Sequence, residues 1–324
     1  MSAEKVLIRS IRPFGKERRG DSWFHTITTL GLLCLSFLPA AFGLPWYVKI
    51  FSSILMALLM VRMFIIYHDY AHRSILQKSW LAKGIFAVYG VFILAPLSIW
   101  KRSHNYHHKH NSKLYSSSIG SYPIVTVDKY KKLTSGEKRT YGFIRHPLTI
   151  SFGYIFVFIF GMLFRSLYNK PSAHWDSAIS LVAHFGMIVL FYFLGGWSMV
   201  LFGVWIPFLV ACGLGAYLFY AQHNFPGVYY ADKEGWTFIT AAMESSSFMK
   251  MSKLMHWFTG NIGYHHIHHL NEAVPFYRLP EVYDKVSQLQ NAKTTSLSIK
   301  DIIACFRLKV WDPEQRKMLS WSEI

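Results

Sequence analysis

The sequence predicts an all-α integral membrane protein: four transmembrane helices, further apolar helices lying in the interface, and a helical cap on the cytoplasmic side. Two observations set the class. Of 324 residues, 52% are hydrophobic and only 16% are charged, a balance too apolar for an ordinary soluble domain of this length. Residues 177–231 contain no Asp, Glu, Lys or Arg at all, and such a stretch holds two helices of about 20 residues, each able to cross a bilayer core of ~30 Å. A third observation, three tight clusters of histidine, gives the cap a purpose.

The segments follow in order. Residues 1–22 carry Lys5, Arg9, Arg12, Lys16, Arg18 and Arg19. That is too much charge for a cleaved leader, and the positive-inside tendency makes this segment cytoplasmic. A first helix is expected over about 24–42 and a second over about 47–67, joined by a turn that Gly43 and Pro45 favour. A third apolar segment, 84–100, would reach only about 25 Å as a helix, and a fourth covers 148–164. The last two, 178–195 and 198–220, share the uncharged stretch and turn at Gly195-Gly196. The whole chain, 1–324, reads as one domain, with the cap made from residues 68–147 and 221–324.

The formal charge of +17 gathers in the N-terminal segment, in residues 101–145 and after residue 277. It reads as a basic rim against anionic lipid head groups. Docking of an acidic electron-carrier protein is compatible with it. No basic patch interleaved with stacking aromatics stands outside the apolar segments, which argues against nucleic acid. Cys34, Cys212 and Cys305 are far apart with no C-x-x-C pair. That excludes a cysteine-ligated iron–sulfur cluster or zinc ribbon within this chain.

The histidine clusters read His68-Asp-Tyr-Ala-His72, His104-Asn-Tyr-His107-His108 and His265-His266-Ile-His268-His269, and hold nine of the sixteen histidines. A helix brings positions i, i+3 and i+4 onto one face, so each cluster can aim two or three imidazoles at one point. Eight imidazoles by spacing, beyond the spare His110 and His266, are too many for one zinc, which takes three or four. They suit two transition-metal ions. Neither the Glu-x-x-His of soluble di-iron bundles nor the H-E-x-x-H of zinc proteases occurs. Asp69, Asn105 and Asn261 are candidates to orient imidazoles from behind. The isolated His25, His146, His174 and His184 read as structural.

If all three clusters serve one site, they lie on one side of the membrane, and an even number of crossings separates each pair. Segments 84–100 and 148–164 are therefore expected not to cross. Four crossings remain, with both termini and every cluster cytoplasmic.

The order HxxxH, HxxHH, HxxHH, at these intervals, resembles the membrane-bound fatty acid desaturase superfamily. The stretch Trp257-Phe-Thr-Gly-Asn-Ile-Gly-Tyr-His-His-Ile-His-His-Leu270 is similar to bacterial acyl-lipid desaturases of the delta-12 and delta-5 kind, as is Pro275–Pro280. Tyr220-Ala-Gln-His-Asn-Phe225 resembles the segment that donates one further histidine in this superfamily. The resemblance covers about 25–285 and departs from the stearoyl-CoA type in the lead-in to the third cluster. It implies metal ligands at His68, His72, His104, His107, His108, His265, His268 and His269, with His223 as the ninth and His266 in a variable slot. It further implies two iron ions (Fe2+), O2, a cis double bond placed in a membrane-lipid acyl chain, and a multi-pass membrane position, in the plasma (inner) membrane if the source is bacterial, with the site facing the cytoplasm. No haem-binding domain is recognisable, so an external ferredoxin or small b-type cytochrome is expected to deliver electrons. Lipid hydroxylases and carotenoid hydroxylases or ketolases share the pattern. A metal transporter is the reading from another class, although transporters hold their ions near the bilayer midplane.

Overall fold

The computed structural model describes residues 3–115 and 121–324. Three helical runs in it are long and apolar enough to cross a membrane: Arg19–Ala41, Trp46–Ala71 and Trp175–Ala221. The first two form an antiparallel hairpin. Ser52 Oγ donates to Ser36 O at 2.5 Å near the turn, and Arg62 Nε donates to Thr29 Oγ1 at 3.1 Å further down. Arg62 is buried within that hairpin, and it is well supplied. Its guanidinium lies 3.1 Å from His25 Nδ1, donates to Trp257 O, and sits 4.1 Å from the centre of the Trp257 ring. His25 is thereby accounted for as a packing partner.

The third run is 47 residues long but is not straight. Gly195 and Gly196 leave helical geometry, Gly196 with φ +62°, a conformation that costs glycine little and other residues much. The His184 and Phe208 rings lie 4.8 Å apart, whereas a continuous helix would hold these positions about 36 Å apart. The run therefore folds back into two antiparallel arms at the glycine pair, and its second arm packs on Trp46–Ala71.

Segment 84–100 is not one helix. Trp80–Phe92 stops, Leu94 takes φ +62°, and Leu97–His110 starts again after Pro96, at 89° to the first piece. Proline bars helix at the residue before it, so Ala95-Pro96 forces the break. Segment 148–164 is divided as well. The helix Pro147–Ser151 is capped by His146 Nδ1, which accepts from Leu148 N–H at 3.2 Å. After Gly153 the chain winds in wide π turns over Tyr154–Phe164 and continues helically to Asn169.

This second segment lies close against the arm Ile206–Ala221 because two glycines permit it. A Cβ on Gly153 would stand 2.7 Å from Ala216 Cβ, and one on Gly213 would meet Ser151 O closer still. Gly215 on the same arm faces open space. Overpacking a tight contact costs about 1–3 kcal/mol. Gly213→Ala is therefore expected to lower the melting temperature of the detergent-solubilised protein clearly, and Gly215→Ala to leave it near the parent value.

The cap departs from the all-α expectation in two small β additions. Phe248–Lys250 pairs in parallel with Thr294–Ser296, and Val310–Asp312 pairs antiparallel with Lys317–Leu319. Cross-links join the two stretches of the cap. Leu114 N–H donates to Ala231 O at 2.8 Å and Trp311 N–H to Val125 O at 3.0 Å. Arg145, fully buried, donates to Pro123 O, Asn224 Oδ1 and Leu308 O. The N-terminal segment is tied in too: Glu17 Oε1 accepts from Leu76 N–H at 2.7 Å, and Arg278 donates to the carbonyls of Phe14 and Lys16.

Candidate metal centre

Three helices and one turn bring imidazoles to the point where cap and apolar helices meet. His68 lies in the last turn of Trp46–Ala71, and His72 caps it. His104, His107 and His108 share one face of Leu97–His110, and His265, His268 and His269 ride on the short helix His265–Leu270. His223 follows Ala221 by two residues, in the turn that ends the last apolar arm.

The ligand atoms gather in two groups, each with all its atoms within 4.8 Å of one another. His68, His72, His104, His108 and His268 form one; His107, His223, His265 and His269 form the other. The division cuts across the sequence clusters. His107 leaves its helical neighbours for the second group, and His268 leaves its own for the first.

Several of their outer nitrogens lie beside groups that can accept a proton in a hydrogen bond. His68 Nδ1 is 3.1 Å from Asp69 Oδ1, and His72 Nδ1 is 3.2 Å from Glu272 Oε2, which also lies 3.6 Å from His108 Nδ1. His223 Nδ1 donates to Ser245 O at 2.9 Å. A neutral imidazole with its proton on Nδ1 has a bare lone pair on Nε2. Those Nε2 atoms face one another: His68–His104 at 2.9 Å, His104–His108 at 3.1 Å and His108–His268 at 3.0 Å in the first group. In the second, His223–His265 is 2.8 Å, His265–His269 is 3.1 Å and His269–His107 is 3.2 Å. Lone pairs so placed repel unless a cation sits between them. Metal–nitrogen bonds of ~2.0–2.1 Å at right angles would set neighbouring nitrogens about 3 Å apart. The donor set fits a metal ion in each group.

Electrostatics point the same way. Burial, reinforced by neighbouring imidazoles, holds His265, His268 and His269 well below the usual histidine range, and burial pushes His223 down to about 4. All four are therefore neutral at physiological pH, the state in which imidazole binds metal. A hydrogen bond from His72 holds the Glu272 carboxyl below the usual carboxylate range, against partial burial.

The three residues expected to orient imidazoles fare differently. Asp69 touches His68 with one oxygen and accepts from Phe276 N–H at 2.6 Å with the other. Asn105 is exposed and makes no hydrogen bond to an imidazole among the described residues. One helical residue after His104 it has rotated about 100° off the metal face. Asn261 takes φ +55°, and its Nδ2 donates to Phe276 O rather than to a ring. Sequence reasoning missed Glu272, Ser245 and Ser121, whose Oγ is 2.7 Å from His107 Nδ1. Glu272 carried a usable signal as the acid three residues beyond His269. A backbone carbonyl such as that of Ser245 carries none.

The remaining histidines stand apart from both groups. His266 packs between Phe248 and Tyr283, His110 stacks on Tyr106 at 3.9 Å, and His184 meets the Tyr154 hydroxyl.

A cavity of about 1340 Å³ opens onto His68, His104 and His265. Its walls near them are apolar, among them Phe64, Ile65, Phe158, Ala216 and Phe219. The volume exceeds the ~300–1,000 Å³ of pockets for compact small molecules.

Apolar helices of membrane length, a cap, and a cavity lined by imidazoles of both groups define a class: helical membrane proteins with a histidine cluster suited to metal. The model of one family, described as fatty acid desaturase, matches residues 44–297. The chain belongs to the fatty acid desaturase family, and is an oxidoreductase of lipid metabolism. A fatty acid desaturase of Bacillus subtilis is 28% identical over 99% of this chain and 92% of its own length. An sn-1 acyl-lipid omega-3 desaturase (ferredoxin) of Nostoc sp. is 28% identical over 79% of this chain and 71% of its own length. An sn-1 oleoyl-lipid 12-desaturase of Anabaena variabilis is 23% identical, covering 84% and 78% respectively.

Proposed function

We propose that this chain is an O2-dependent acyl-lipid desaturase with two iron ions. His68, His72, His104, His108 and His268 hold one, and His107, His223, His265 and His269 hold the other. The observation that carries this reading is the pair of facing Nε2 sets, with His68, His104 and His265 on the wall of a largely apolar cavity, in a chain of the desaturase family. Bound there, iron would supply the oxidising chemistry that removes two hydrogens from adjacent methylenes; with two further electrons from a carrier and two protons, O2 would end as two waters.

The chain's own residues do the rest. Asp69, Glu272 and the Ser245 carbonyl keep protons on Nδ1 and leave Nε2 free, fixing each ring's direction. The apolar walls exclude water and present one stretch of methylenes to the imidazoles, since an acyl chain offers no polar handle near its middle. The names of the Nostoc and Anabaena relatives, acyl-lipid and oleoyl-lipid desaturases, support a lipid-bound acyl chain as substrate. The Nostoc name includes ferredoxin, which supports an external carrier, ferredoxin or a small b-type cytochrome, for this chain also.

Four crossings complete the proposal: Arg19–Ala41, Trp46–Ala71 and the two arms of Trp175–Ala221. The bent pair Trp80–Phe92 and Leu97–His110 enters and returns, and the helix through Tyr154–Asn169 stays interfacial. Both termini and all nine ligands are then cytoplasmic, beside the basic segments, and in a bacterial cell the membrane is the plasma membrane.

The test is a fatty-acid profile, with double bonds located, from a host that lacks desaturases and expresses this chain. A new cis-unsaturated acid is the expected product; a hydroxylated or keto product would replace this reading with its oxygen-retaining relatives. One variant probes the cavity itself. Gly215 lines it and has no atom within 4 Å of an added Cβ. An added Cβ therefore meets no neighbour there, and Gly215→Phe is expected to narrow the cavity that Gly215 lines. Product from long chains is expected to fall several-fold relative to shorter ones, read from the same profile.

A further inference from the structure

The wall of the same cavity carries charges that the metal centre does not use. Arg102, Arg165 and Lys170 line it, and so does His174. Among the described residues none of the three cations has a carboxylate within ion-pair distance. The only acid on the cavity wall, Glu137, is already engaged: its carboxylate accepts from Thr134 N–H and Oγ1–H, each at 2.8 Å.

Arg102 is not left to wander. Asp176 Oδ1 accepts from Ser98 Oγ–H at 2.5 Å, and Oδ2 from Ser98 N–H at 3.1 Å. With its proton committed to Asp176, Ser98 Oγ accepts from His174 Nδ1–H at 2.8 Å. His174 then has a bare Nε2, which accepts from Arg102 Nη1 at 3.4 Å. His174 is buried, 3% exposed, so this chain of hydrogen bonds fixes one edge of the guanidinium from inside the protein. Guanidinium has five N–H donors; among the described residues Arg102 makes a hydrogen bond to His174 alone, and its exposed side chain lines the cavity. That leaves a planar cation with unused donors on the cavity wall, a group that suits a phosphate or carboxylate.

We propose that Arg102, with Arg165 and Lys170, binds a phosphate ester at the polar end of the substrate, and that the substrate is a glycerophospholipid rather than a neutral glycolipid. Resting on the desaturase reading above, this names the head group that accompanies the acyl chain. The phosphate sits on the three cations while the acyl chain runs along the apolar walls toward His68, His104 and His265. Ser98, His174 and Asp176 are positioning residues that act through Arg102.

The experiment uses the purified full-length protein with a reduced carrier and O2. Mixed micelles supply phosphatidylglycerol, monogalactosyldiacylglycerol or palmitoyl-CoA of matched acyl chain. A charge-assisted hydrogen bond contributes enough to change binding about tenfold or more. Wild type is expected to prefer phosphatidylglycerol to the galactolipid. Arg102→Gln should cut that preference about tenfold, chiefly through KM, with Arg102→Lys in between. His174→Ala should act in the same direction and add little to Arg102→Gln in the double variant, because its effect passes through the arginine. Lys300→Gln, a surface cation away from the cavity, controls for general charge.

Equal use of both lipids by wild type, or an unchanged preference in Arg102→Gln, overturns the phosphate site. Fully additive effects of Arg102→Gln and His174→Ala overturn the positioning chain. Turnover of palmitoyl-CoA without turnover of phosphatidylglycerol overturns the glycerolipid as the source of the phosphate. Absence of a double bond in every substrate is a different failure, that of the desaturase reading itself.

Discussion

His223→Ala is expected to abolish desaturation as completely as His268→Ala, while the protein still inserts and accumulates. A lone histidine after an apolar helix is usually structural, and His223 stands outside the three clusters. Yet its Nε2 lies 2.8 Å from His265 Nε2, and its Nδ1 proton is given to Ser245 O. It is one of only four donors in its group, whereas the other group has five. On the proposed assignment, losing one of four leaves three imidazoles to hold that group's ion. His184→Ala is the contrast, since that ring touches Tyr154 and Phe208 far from either group; its product should stay within a few-fold of wild type. The reading is a fatty-acid profile normalised to protein level, and near-normal product from His223→Ala would make it a bystander.

Asp69→Ala should fall almost as far. The Asp69 side chain is buried and does two things at once, holding His68 through Oδ1 and the Phe276 N–H through Oδ2. Its removal frees the ring and leaves a buried N–H unsatisfied beside the loop that follows the third cluster. Glu272→Ala removes the carboxylate shared by His72 and His108, but that carboxylate is half exposed and water can replace part of it. Loss of a group behind a metal-binding imidazole typically costs about 10–100-fold in affinity or activity. We expect Asp69→Ala at or beyond the upper end and Glu272→Ala toward the lower. Iron content and initial rate, measured on the same preparations, check both; an Asp69→Ala protein with wild-type iron and rate would remove the carboxylate from the site.

Local spacing carried much of this site into view. His104 and His108, or His265 and His269, are four residues apart, and helical geometry alone puts each pair on one face. What spacing could not reveal is which imidazoles share a centre. The grouping of His268 with His68 and of His107 with His223 depends on how three helices cross, and no local pattern encodes a crossing. The hairpin at Gly195-Gly196 was legible because two adjacent glycines interrupt an otherwise continuous apolar run. The break in 84–100 was legible only in hindsight: Pro96 sits inside a segment whose hydropathy is uniform, and hydropathy is blind to backbone shape. Asn105 misled for the converse reason, since proximity in sequence to His104 says nothing about direction. The phosphate-facing arrangement around Arg102 joins residues 98, 102, 174 and 176 across two distant segments. In sequence His174 is simply one more isolated histidine.

Metal content of the full-length protein, purified without oxygen and compared with two single variants, bears most directly on the central claim. Two groups of imidazoles predict about two irons per chain in wild type. His72→Ala and His265→Ala, one from each group, should each lose roughly one of them while the protein remains folded. About one zinc per chain with no iron, or iron unaltered in both variants, would contradict the assignment of two histidine-held iron ions.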